Sequence, residues 1–407
     1  MKKLILFLIV LISVQVFAAK VTTGIEILRS NNFKLLQGKR VGLITNPTGV
    51  DSDLKPTIDI LFEAKNVKLV ALFGPEHGVR GDVHAGDKVD NVTDTKTGLP
   101  VFSLYGKTRK PTLEMLKGID VLVYDIQDIG CRSFTFISTM GLAMEAAAEQ
   151  NIEFVVLDRP NPIGGLKIEG NITEEPFISF VSQFKIPYLY GQTCGELAIM
   201  LNEEKMLQQK CKLIVVKMKG WKRTMTWENT GLEWVIASPH IPHKHSSYFY
   251  PVTGILGELG YVSIGVGYTM PFEIVGAPWM NADSVSDALN QLNLSGIEFR
   301  PLHFKPFYAT FKGEHCQGVQ IHIMDYKEVK LSEIQFYIMQ VLNKLYPTKA
   351  VFANADASRF SMFDKVSGSD QIRLKFAVQH KFEDIKQYWY KDVEGYRLLS
   401  KKYYLYK

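Results

Sequence analysis

The densest collection of reactive side chains follows Phe73. Within FGPEHGVRGDVHAG come Glu76, His77, Arg80, Asp82 and His84, spaced by Gly74, Gly78, Gly81 and Gly86. A carboxylate beside an imidazole supplies the parts of acid–base catalysis, and an arginine a few residues on supplies a fork for an anion. The glycines allow the tight backbone that brings such groups together, and Pro75 fixes one backbone angle before the carboxylate. A solvated surface loop has a similar composition, so the pattern alone does not make a site. His77, Asp82 and His84 also offer ligands to a cation, without helix or hairpin spacing.

Such groups need a scaffold, and the chain around them alternates buried strands with helices. Short apolar runs predict strands at Val41 to Thr45, Val67 to Phe73, Val101 to Tyr105, Val121 to Ile126, Phe154 to Leu157 and Leu213 to Met218. Between them, helical spacing marks Asp51 to Ala64, Thr112 to Leu116, Ser138 to Gln150 and a helix opening at Thr193. This order predicts an α/β fold with a doubly wound, mainly parallel sheet. Ligands of such sheets bind beyond the carboxyl ends of the strands. Asn46, Glu76, His77, Asp128, Arg132, Asp158 and Arg159 each follow a predicted strand and are expected to share one rim. The glycine-rich run from Thr253 to Tyr268 reads as a return to the surface of this first domain, 19–270. Residues 271–407 then read as a smaller α/β domain, strand-like from Phe299 to Asp325 with a long helix from Leu331 to Leu345. A cleft between two domains is a usual place for a ligand.

Several classes are unsupported. No G-x-G-x-x-G follows the first strand, and neither G-x-S-x-G nor H-E-x-x-H occurs, so no dinucleotide, serine-hydrolase or zincin site is indicated and no cofactor is expected. His240, His243 and His245 are close in sequence, but Pro239 and Pro242 break the local ligand geometry and no metal is expected. Lys2 and Lys3 precede an apolar run from Leu4 to Phe17 and a Val16-Phe17-Ala18 end, the signature of a secretory signal in residues 1–18. Its removal takes two lysines from a net charge of +5 and leaves +3. Export to a periplasm or the exterior is expected, with no membrane span after cleavage. No basic tract suggests nucleic acid. Cys131, Cys194, Cys211 and Cys316 have irregular spacing and read as buried free thiols.

The segments FGPEHGVRGDVHAG, LPVFSLYGKTRKPTLEMLKGIDVLVYDIQDIGCRSFTFISTM, LDRPNPIGG with IEG, PYLYGQTCGELA and PFEIVGAPW occur in this order over nearly all of the mature chain. Together they resemble the bacterial DUF1343 family, whose characterised members are exo-β-N-acetylmuramidases of the NamZ type. The resemblance implies a Rossmann-like domain with an auxiliary domain and an active site in the cleft between them. It also implies an activity on peptidoglycan-derived muramyl saccharides, removing terminal N-acetylmuramic acid from the non-reducing end. Typical members carry S-P-N-x-P and T-N-V-S-x-G-R-G-T before P-F. Here His240 replaces the asparagine and Val266 the arginine.

Glycoside hydrolysis usually needs one carboxylic acid to protonate the leaving oxygen and a second carboxylate to serve the anomeric carbon. Glu76 is the expected acid and Glu169 its expected partner. Arg80, Arg132 and Arg159 are candidates to grip a substrate carboxylate, and salt bridges with nearby aspartates are the structural alternative. His77, Asn46, Asp128, Tyr190 and His240 are expected to contact the sugar. A non-catalytic binding protein for peptidoglycan fragments on the same scaffold is the alternative function.

Overall fold

A computed structural model of the chain describes residues 20–81 and 92–407. The expected signal segment lies outside the described residues, as do Asp82, His84 and Gly86. Among the described residues, one sheet is built of β1 (Arg40–Thr45), β2 (Lys68–Gly74), β3 (Val92–Thr93), β4 (Pro100–Ser103), β5 (Val121–Asp125), β6 (Glu153–Leu157) and β7 (Lys212–Val216). Its order is β3-β4-β2-β1-β5-β6-β7, parallel throughout except where β3 meets β4. A smaller antiparallel sheet of β8 (Ile274–Ala277), β9 (Ile297–Phe304) and β10 (Cys316–Ile323) has the order β8-β10-β9. The fold is therefore the α/β class that the alternation of runs predicts.

The central strands are apolar on both faces because both faces are covered. Val121 and Val123 of β5 join Ile25 and Leu28 of helix Gly24–Ser30 and Ile58 and Leu61 of helix Thr57–Glu63. Leu122 and Tyr124 face the other way, into a cluster with helices Phe136–Glu149 and Cys194–Glu203. That second cluster continues into the C-terminal half through Leu256, Phe336, Met339 and Trp389, so both sheets rest on one shared core.

Two segments depart from the sequence reading. Thr253 lies inside a helix, Ser246–Gly257, that packs on helix Ile334–Leu345. Pro251 and the flanking glycines disguise that helix, which is buried on most faces and so lacks a polar stripe. The strand-like stretch from Phe299 is two antiparallel strands, β9 and β10, joined by a loop. No helix among the described residues is long and apolar enough to cross a membrane.

Beyond the end of β5, Asp128 is buried and accepts hydrogen bonds from the Tyr190 hydroxyl and from the Gly130 amide at 2.6 Å, both on one oxygen. Its other oxygen is buried without a hydrogen bond. Burial, opposed by the Tyr190 hydroxyl, pushes this carboxyl up to about 7. The bare oxygen is the place for the proton. The folded state thus holds a proton that the unfolded chain releases near its ordinary value of 3.8, and stability falls as pH rises from there toward 7. We expect Asp128→Asn, neutral at every pH, to flatten that part of the decline; thermal unfolding of both forms between pH 5 and pH 8 checks it, and equal slopes would remove Asp128 from the account.

Candidate active site

The chain leaves β2 through a turn closed by the Gly78 amide on the Pro75 carbonyl at 3.0 Å, with Glu76 and His77 at its corners. His77 takes φ +73°, a left-handed conformation that a residue with a Cβ adopts at a cost on the order of 1 kcal/mol. Gly74 makes the turn possible, because a Cβ there would stand 3.1 Å from both the Gly78 Cα and the Val79 nitrogen. The turn delivers Glu76, half-buried, to a cavity of about 420 Å³ between the two halves of the chain. That volume is within the range of small-molecule sites.

The rest of the lining comes from distant segments. Thr135, just before helix Phe136–Glu149, donates its hydroxyl to Glu76 Oε2 at 3.0 Å. Tyr105, just beyond β4, stands beside the same carboxylate; burial, reinforced by Glu76, pushes its phenol up to about 12. Tyr250 and Glu258 come from helix Ser246–Gly257 and its C-cap. The Tyr250 hydroxyl is 3.1 Å from Ser133 Oγ, and its ring meets Phe134 and Phe272 edge-on, with centroids 5.7 Å and 4.9 Å away. Burial drives its phenol well above the ordinary value, and both Glu258 and Glu76 add to the rise. Burial also raises Glu258, against a smaller opposing effect of Arg359. His240 completes this wall, its Nε2 2.9 Å from the Tyr308 hydroxyl. Arg109 and Lys365 line the cavity too.

Of the residues the sequence offers, Glu76, His77 and His240 meet here. The others lie elsewhere. Glu169 is 2% exposed and turned into the protein, where one carboxylate oxygen accepts from the Ser332 amide at 2.9 Å and its hydroxyl at 2.8 Å. This joins the two halves of the chain, and the expected pairing of Glu169 with Glu76 across the cavity is not found. Arg80 forks onto Asp94 at 2.9 and 3.0 Å. Arg159 forks onto Asp125 at 2.6 and 3.0 Å and reaches the Val50 carbonyl at 2.7 Å. Arg132 is 1% exposed and gives its protons to the carbonyls of Asn171, Ile186 and Val366 at 2.7 to 2.9 Å and to Ser182 Oγ at 3.1 Å. Asn46 is buried and accepts from the Thr48 amide at 3.0 Å, and Tyr190 is spent on Asp128.

The common rim therefore exists but is closed. The crevice beside β1 and β5, bordered by Thr48, Gln127 and Arg159, has room for about 20 Å³, a single water. Side chains of the protein fill the place where doubly wound sheets usually take a ligand. The open cavity is displaced toward β2, β4 and the C-terminal half. Glu258, Tyr250, Thr135, Arg109 and Lys365 escape the sequence reading. For Glu258 there was a signal: it is the only charged side chain between His245 and Glu273, and a lone acid in an apolar run is buried for a reason.

Comparison with known proteins agrees with this two-part architecture. The family model for the N-terminal domain of exo-β-N-acetylmuramidase NamZ matches residues 41–245, and that for its C-terminal domain matches residues 248–406. The chain is 45% identical over 387 residues to the peptidoglycan β-N-acetylmuramidase NamZ of Bacillus subtilis (strain 168), spanning 95% of this chain and 92% of that one. Crystal structures of two DUF1343 family proteins from Bacteroides fragilis share the fold. One is 67% identical with a TM-score of 0.93, covering 95% of this chain and 99% of its own. The other is 29% identical with a TM-score of 0.76, covering 96% and 99%. The chain, through both of its halves, thus belongs to the exo-β-N-acetylmuramidase NamZ family.

Proposed function

We propose that this protein, a glycosidase by family, releases terminal N-acetylmuramic acid from the non-reducing end of peptidoglycan fragments, and that it does so in the cavity between its two halves. The observation that carries the reading is the meeting of two carboxylates, Glu76 and Glu258, around Tyr250 in a cavity of sugar-binding size. A glycosidase needs such a pair, one proton donor and one group for the positive charge that grows at the anomeric carbon. Glu258 is the proton donor: burial raises its carboxyl, against the opposing Arg359, and so favours the protonated form that can pass a proton to the glycosidic oxygen as the C1–O bond breaks. Glu76, fixed by the Thr135 hydroxyl and a turn that leaves it little freedom, meets the anomeric carbon. Glu258 thereby takes both the partner's place given to Glu169 and the acid's role given to Glu76.

The protein is also proposed to be exported. Its first 18 residues have the layout of a signal peptide, and the substrate lies outside the cytoplasm.

Glu76→Gln should fold normally and lose about 10²- to 10⁴-fold in kcat on 4-nitrophenyl N-acetylmuramide. Near-wild-type turnover would take Glu76 out of the mechanism. Glu258→Gln should hurt unequally: a fragment ending in N-acetylglucosamine needs protonation to leave, whereas 4-nitrophenolate does not, so the loss should be far larger on the disaccharide. The same variant should lose the fall of the wild-type rate that accompanies deprotonation of this carboxyl, which burial shifts upward. Equal losses on both substrates would return the donor's role to another group. For export, the mature protein recovered from outside the cytoplasm should begin at Ala19 or Lys20 by mass spectrometry; a chain beginning at Met1 would refute cleavage.

A further inference from the structure

A muramyl sugar differs from a glucosaminyl sugar by a lactyl ether, which carries a carboxylate. A cavity that already holds the Glu76 carboxylate repels such an anion unless cations offset it. The three arginines that the sequence suggests for this task are occupied: Arg80 by Asp94, Arg159 by Asp125 and Arg132 by backbone carbonyls. Val266, where typical members carry arginine, packs against the apolar core and does not line the cavity.

Two other cations do line it. Arg109, beyond β4, lays its guanidinium over the Phe180 ring, 4.5 Å from the centroid. Phe180 packs on Tyr105 at 6.0 Å, and Tyr105 stands beside Glu76, so the arginine is held near the proposed reacting centre by a continuous aromatic wall. Lys365 approaches from helix Phe360–Ser367 of the other half. Its backbone is fixed by its neighbour Val366, whose carbonyl accepts from Arg132 at 2.9 Å. Neither cation has a salt bridge among the described residues, which leaves both charges available to a ligand.

We infer that Arg109 and Lys365 together hold the lactyl carboxylate, and that this pair makes the cavity select muramyl over glucosaminyl sugars. The inference rests on the function proposed above and adds its specificity determinant. Arg109 supplies a planar fork and Lys365 a point charge, one from each half of the chain, so the carboxylate is gripped only when the two halves are in register.

The test compares 4-nitrophenyl N-acetylmuramide with the same glycoside amidated at the lactyl carboxyl, using wild type, Arg109→Gln, Lys365→Gln and the double variant. Wild type should prefer the acid. Each single variant should reduce the ratio of kcat/KM for acid over amide about tenfold, chiefly through KM, and the double variant should bring it near one. A double variant that keeps the wild-type ratio overturns the inference. Calorimetric titration with free N-acetylmuramic acid and with N-acetylglucosamine separates this from the catalytic reading. Binding of muramic acid that is lost in the double variant, without turnover by wild type, refutes the enzyme and keeps the grip. Equal binding by wild type and double variant, or no binding by wild type, refutes the grip.

Discussion

The buried guanidinium of Arg132 is the constraint on which the cavity depends. It lies in the loop that follows β5, takes no carboxylate partner among the described residues, and is instead held by three carbonyls and a hydroxyl from three segments, around Asn171, Ser182 to Ile186 and Val366. Burial lowers its pKa to about 10, which still leaves the charge in place at neutral pH. Removing a cation from water costs several kcal/mol, and only well-aimed dipoles offset it. The offset comes with a geometric condition: Asn171, Ile186 and Val366 must all stay where their carbonyls point inward. Ser133 to Thr135 follow the arginine directly and form one side of the cavity, whereas Lys365 precedes Val366 on the other. One guanidinium thus sets the distance between the walls. Gly368 is part of the same lock, with φ +78° and a position where a Cβ would stand 2.7 Å from Arg132 Nη2.

The filled crevice explains why the cavity is not at the usual point of a doubly wound sheet. Strand order reverses direction at β1, with β2 on one side and β5 on the other. Thr45 and Thr57 both bond to Asp125, the first to its carbonyl at 2.8 Å and the second to its carboxylate at 2.5 Å, and Arg159 closes over that carboxylate. These groups satisfy one another in a dry setting, where an unpaired polar atom would be expensive. The second half of the chain then creates a new concavity against the outer part of the rim.

What the sequence discloses, and what it withholds, follows from the range of the interactions. Parallel strands buried on both faces must be apolar throughout, so β1, β2, β5 and β6 are visible in the chain within a residue or two of their ends, and the half-buried edge strand β7 is visible by its apolar run. Glu76 is visible because its environment is local: a strand end, a proline, glycines. Arginine roles are not local. The partner of Arg80 is fourteen residues away and that of Arg159 thirty-four, and the carbonyls around Arg132 belong to segments that no spacing rule connects. Glu258, Arg109 and Lys365 reach the cavity only through the packing of one half on the other. Nothing in a periodicity or a propensity registers that event, and the resemblance to a family could indicate a cleft without saying which side chains enter it.

The four cysteines add a consequence of a different kind. All are buried as free thiols, and burial raises Cys131 to about 12, far from the reactive thiolate. Cys131 sits directly before the arginine that spaces the cavity walls. No covalent cross-link between these sulfurs holds the halves together, so the native contacts need no oxidant to form. A reductant has no sulfur–sulfur bond in the folded molecule to cut.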